Sequence, residues 1–122
     1  MDFMQSDRLS YIISPSGQIV SAMPDDDEFS LQEIRDYVAG PPEVACETSD
    51  GFVMFRNREG REWGLASNRV AGIIARLAQH SGSILGRVFL AHPDHVPSHW
   101  KKTQATHQPP TYEPEITPAA VA

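Results

Sequence analysis

Hydrophobic and polar positions follow two different periods along the chain, and the changes of period mark out its elements. Tyr11, Ile12 and Ile13, then Ile19, Val20, Ala22 and Met23, flank Ser14-Pro15-Ser16-Gly17. Pro at the second turn position and Gly at the fourth predict a β-hairpin there, which Pro24 ends. Leu31, Ile34 and Val38 then fall at helical spacing and predict a short helix with those three positions buried. Ser30 is its N-cap and Glu33, three positions on, completes a capping box, while Phe29 and Ile34 form the hydrophobic staple across the cap. Gly40-Pro41-Pro42 stops the helix. From Glu43 the period returns to two, with Val44 and Cys46 alternating against Glu43, Ala45 and Glu47, and Ser49-Asp50-Gly51 supplies the next hairpin turn.

The stretch 51–77 leaves almost no residue unassigned. Phe52, Val53, Met54 and Phe55 form a continuous apolar run, expected of a strand covered on both faces. Asn57-Arg58-Glu59-Gly60 reads as a turn, and a return strand is expected to carry Trp63 and Leu65 on one face. Ser67 or Asn68 caps a second helix, with Val70, Ile73, Ile74 and Leu77 as its buried stripe. Residues 83–91 make a last strand in which Gly86 marks a bulge or a close approach. The pattern therefore predicts an α+β domain over residues 11–100, a mainly antiparallel twisted sheet of about six strands with two short helices packed on it. Residues 1–10 are expected to be loosely ordered, and the Pro-rich segment 101–122 to be a disordered tail.

Composition adds limits. A chain of 122 residues builds one core, and no apolar run approaches the ~18 residues of a membrane helix. The single cysteine, Cys46, excludes an intramolecular disulfide, and Asp2 and Asp7 stand where a secretory leader would carry positive charge. Both features lead to the expectation of a cytoplasmic protein. The net charge of −6 conceals a polarity: residues 1–50 carry nine net negative charges, residues 51–102 five net positive, and the remainder two net negative. Pairing between the halves would balance most of this inside one molecule, so overall acidity is a poor argument for nucleic-acid mimicry.

No motif of catalytic spacing is present, and three groups of side chains compete as candidates. His92, Asp94, His95 and His99 are acceptable zinc-ligand types crowded into eight residues, although Pro93 and Pro97 hold the backbone extended and turn neighbouring side chains apart. The alternative is a loop that packs Val96 and Trp100 back onto the domain. The carboxylates Asp25 to Glu28 lack the alternating spacing of a cation loop and are better placed to favour the positive end of the following helix. Arg56, Arg58, Arg61, Arg69, Arg76 and Arg87, several of which could gather with Trp63 into a cationic, partly aromatic patch, are candidates for phosphate or nucleic acid; the competing reading pairs them with the acidic half of the chain. Cys46 reads as a small apolar residue rather than a nucleophile.

Four segments together carry a family resemblance: LQEIRDYVAG (31–40), FRNREGREWGL (55–65), the N-x-x-A at Asn68 and Ala71, and ILGRVFLA (84–91). They resemble the domain of unknown function 3846 family, small proteins of phages, plasmids and bacterial genomes. Arg58 departs from the acidic residue of the family's turn. The resemblance implies an accessory protein of a mobile element and brings no catalytic residue. The expected function is thus non-enzymatic and without a cofactor: binding of a protein partner, a host-defence component being one version, through an exposed strand, the His-Trp segment or the tail. A small nucleic-acid or nucleotide binder using the arginines, and a metal-binding protein at 92–99, are the alternatives. Oligomeric state is not indicated.

Overall fold

Five strands and two helices follow from these signals in a computed structural model that describes residues 8–98 and 100. The strands are β1 (Ser10–Ile13), β2 (Ile19–Ala22), β3 (Pro42–Glu47), β4 (Val53–Asn57) and β5 (Val88–Ala91); the helices are α1 (Leu31–Val38) and α2 (Arg69–Leu77). All strand pairings are antiparallel and the sheet order is β2-β1-β5-β4-β3. Two local hairpins, β1-β2 and β3-β4, are therefore joined by the last strand, which inserts between them.

Side chains alternate across the sheet, so each face collects its own core. On one face Phe55, Phe89, Val53 and Ala91 meet Phe29, Ile34 and Val38 of the α1 segment. On the other, Met54, Val88 and Ile13 meet Ala71 and Ala75 of α2 and Ile84 of the loop after it. The apolar run at β4 is explained by this: Val53 and Phe55 serve one core while Met54 serves the other. β3 carries a bulge between Val44 and Cys46 and ends the sheet on one side.

The first helix forms as its sequence dictates. Ser30 Oγ accepts from Glu33 N at 3.1 Å and Glu33 Oε1 accepts from Ser30 N at 2.7 Å, a capping box typically contributing about 1 kcal/mol. Phe29 and Ile34 are both buried, as the staple requires. Leu31 is exposed instead of buried, because only Ile34 and Val38 project toward the sheet. The helix ends on Ala39 in the left-handed region (φ 60°), and a Cβ on the following Gly40 would lie 2.3 Å from Asn57 Nδ2. Glycine at 40 is thus needed for close approach to β4. Arg87 closes the same helix end, donating to the carbonyls of Tyr37 and Asp36 and satisfying groups that the helix leaves unpaired.

Further expectations change. Trp63 and Leu65 lie in no strand; residues 58–64 fold into consecutive turns, with Trp63 N donating to Glu59 O, Gly64 N to Arg61 O and Leu65 N to Gly60 O. β4 already has β3 and β5 as neighbours, which leaves no place beside it for a return strand. The buried side of α2 is Ala71 and Ala75 with Val70 and Ile74 half-buried, whereas Ile73 and Leu77 are 52% and 82% exposed. The small alanines let the helix lie close to the sheet. β5 is shorter than residues 83–91; only an isolated bridge between Ser67 and Leu85 precedes it. Gly86 is the close approach expected, at φ 79° with Leu65 Cδ1 2.6 Å from where its Cβ would be. At the N-terminus, Ser10 is buried within β1 and accepts from His92 N, so order begins before residue 11.

Candidate functional site

The candidate chemistry separates into groups spent on the fold and groups left at the surface. The His-Trp segment belongs to the first. A 3-10 turn at Pro93–His95 starts with His92 Nδ1 accepting from Asp94 N, which occupies the nitrogen lone pair a metal would need. Val96 is buried and Trp100 packs on Phe55 with ring centroids 4.8 Å apart. Phe29 N donates to His95 O, tying this segment to the start of α1. His92 and His95 stack loosely at 5.7 Å, and Asp94 pairs with Arg8 at 3.6 Å. His99 lies outside the described residues. Among the described residues no group of three or more His, Cys, Asp or Glu is placed to hold a metal ion.

Burial holds the His95 imidazole below the usual histidine range, with the charges of His92 and Arg8 adding to it and those of Asp94 and Asp27 opposing. Among the described residues its Nδ1 has no hydrogen-bond partner. Because the folded state takes up the proton less readily than the unfolded one, stability is fully present above pH ~6.5 and is lost as pH falls below it. Unfolding free energies measured from pH 7.5 to 5 are expected to fall in the native protein and to fall less in His95→Gln; parallel curves would show that His95 does not govern this range.

Cys46 is half-buried on β3, and burial pushes its thiol up while Arg56 pulls it down. It has the environment of a packing residue, not of an activated nucleophile.

The arginines divide. Arg56 faces Glu43 across the β3-β4 ladder, with Nε 2.9 Å from Oε2, both side chains partly buried. Arg58, Arg61, Arg69 and Arg76 are exposed, and among the described residues no carboxylate lies within 4 Å of any of them. The pairing with the acidic half that the charge split suggested is therefore limited here to Arg56 with Glu43. Two hollows gather these side chains on either side of the loop 81–85. The larger, about 560 Å3, lies between α2 and that loop and is bordered by Arg69, Gly72, Ile73, Arg76, His80, Ser81 and Ser83. The smaller, about 100 Å3, is bordered by Arg56, Arg58, Arg61, Glu43, Ser83 and Leu85.

The local fold explains this placement. Positions 69, 72, 73 and 76 recur at three and four residues and so share one face of α2, beside the face that buries Ala71 and Ala75. Ile73 is exposed because it borders the larger hollow. The turns at 58–64 carry Arg58 and Arg61 out over the end of β4, with Trp63 52% exposed on the same turns. Ser83 borders both hollows. The sequence points to the arginines and Trp63 as candidates but not to His80, Ser81 or Ser83, because a run His-Ser-Gly-Ser after a helix carries a turn signal and no chemical one. No protein-family model, curated protein or solved structure matches the chain.

Proposed function

We propose that the protein is a non-enzymatic binder of phosphate-bearing ligands, nucleic acid or nucleotide, acting through the arginine-bordered hollows. The observation that carries this reading is the gathering of Arg58, Arg61, Arg69 and Arg76 around one loop without a carboxylate partner among the described residues. Guanidinium groups present fork-like donors that match phosphate oxygens, and serine hydroxyls add donors of the same reach. Net acidity elsewhere does not oppose this locally, since screening at physiological salt limits charge effects to about 8 Å.

The test is anisotropy of a labelled single-stranded oligonucleotide over a salt series. The native protein is expected to bind with affinity falling as salt rises, and Arg58, Arg61, Arg69 and Arg76 changed together to Gln should flatten the logarithmic slope by up to about 3, at roughly 0.7 per phosphate contact. Binding that is absent at physiological salt, or unaltered in the variant, would overturn the reading.

A protein partner, the leading expectation from the sequence, is the second reading, and one observation favours it. The edge strand β2 exposes Ile19 and Val20, with Met23 just beyond, and carries no charged residue of the kind that blunts edge pairing. A strand from an accessory or host-defence partner would add there by backbone pairing. Amide exchange would slow across Ile19–Ala22 on adding such a partner; slowing confined to other elements would exclude this edge. The resemblance to a mobile-element family and the cytoplasmic location that goes with it belong to both readings.

A further inference from the structure

We infer that the two hollows are consecutive subsites for one single strand of nucleic acid, a whole nucleotide seated in the larger and the next phosphate in the smaller, with Ser83 at the step between them. The inference rests on the phosphate-binding reading above and adds the form of the ligand. The hollows differ in kind. At about 560 Å3 the larger has the size of a small-molecule site and sets the exposed, apolar Ile73 beside Arg69 and Arg76, so it offers surface for a base or sugar as well as donors for a phosphate. At about 100 Å3 the smaller has room for a phosphate but not for a nucleoside, and its border includes the guanidinium groups of Arg58 and Arg61 beside the Arg56–Glu43 pair.

Ser83 borders both, so a ligand that occupies both hollows must step across this one residue. Its exposed side chain makes no hydrogen bond among the described residues, which leaves the hydroxyl available to the bridging phosphate. A duplex fits this poorly, because its stacked bases could not enter the larger hollow. Trp63 on the turns carrying Arg58 and Arg61 provides a face on which a neighbouring unpaired base could stack.

A ligand series separates the form of the ligand from the existence of the site. Inorganic phosphate, thymidine monophosphate, 5′-phosphorylated dithymidine, octathymidine and an eight-base-pair duplex are titrated into the full chain at one salt concentration. The phosphorylated dinucleotide is expected to bind about tenfold more tightly than the monophosphate, and the single strand more tightly than the duplex. Arg58→Gln with Arg61→Gln should reduce the dinucleotide's advantage to about twofold or less, and Arg69→Gln with Arg76→Gln should abolish binding of both. All four side chains are exposed, so folding is not at stake, and unchanged circular dichroism checks it. Equal affinity for mono- and dinucleotide, or a duplex bound as tightly as the strand, overturns the two-subsite inference and leaves the phosphate reading intact. No binding of any probe overturns that reading itself.

Discussion

Asn68→Asp is expected to lower the unfolding free energy by about 3 to 5 kcal/mol at pH 7, more than Asn68→Ala, although aspartate is the closest substitute in shape. Asn68 is 2% exposed and satisfies three backbone groups at once. Its Nδ2 donates to Ile13 O at 2.9 Å and to Gly86 O at 2.8 Å, and its Oδ1 accepts from Ala71 N at 3.1 Å. The side chain therefore starts α2 while holding the end of β1 and the approach to β5 on the same point. Alanine removes the cap, about 0.5 to 2 kcal/mol, and takes a donor from the two carbonyls, a net loss of about 0.5 to 1 kcal/mol each once the site relaxes. Aspartate keeps the acceptor for Ala71 but places a buried carboxylate against two carbonyl oxygens. Its folded-state pKa would be raised, so the native state would gain relative stability as pH falls and the variant would recover toward pH 4. Urea unfolding at pH 7 and pH 4.5 reads both effects. An Asn68→Asp protein within about 1 kcal/mol of native at pH 7 would show that the three bonds are not jointly needed.

Phe89→Ala is expected to cost about 3 to 5 kcal/mol, a large share of the roughly 5 to 15 kcal/mol that holds a domain folded. Phe89 is fully buried on the central strand and its ring lies 4.6 Å from Phe29, 4.8 Å from Tyr37 and 6.3 Å from Phe55. Removing it opens a cavity at the meeting point of α1, β4 and the chain before α1. Relaxation is limited because Phe29 is also fixed by its backbone bond to His95 O. Phe89→Leu refills part of the space and should retain much of the loss. Chemical denaturation of both variants decides the matter; a cost below about 1.5 kcal/mol for alanine would mean that the surrounding rings close over the gap.

What could be read from the sequence was whatever the chain settles locally. The cap of α1 needs only Ser30 and Glu33, and the β1-β2 turn only Pro15 and Gly17, so both appear where expected. The α2 stripe was misassigned because Val70, Ala71, Ile73, Ile74, Ala75 and Leu77 offer two overlapping apolar faces, and the choice depends on how near the sheet comes. The expected strand at Trp63 failed for a related reason: a short alternation between Gly60 and Gly64 carries little weight once β4 has two other partners. The arginines were recognisable as a class, but their freedom from the acidic half was not. Net charge by segment says nothing about which end of a domain Asp25 to Glu28 occupies, and Glu28 is drawn to Ser98.

The place of β5 has a consequence for how the protein is made. Synthesis delivers the β1-β2 and β3-β4 hairpins first, each able to close on its own turn, yet β1 and β4 keep open edges until residues 88–91 leave the ribosome. Neither core is complete before then, since Phe89 and Ala91 belong to one and Val88 to the other. The nascent chain thus carries two unpaired inner strand edges from the completion of β4 at residue 57 until residues 88–91 follow, and the last strand both joins the halves and closes those two edges in one step.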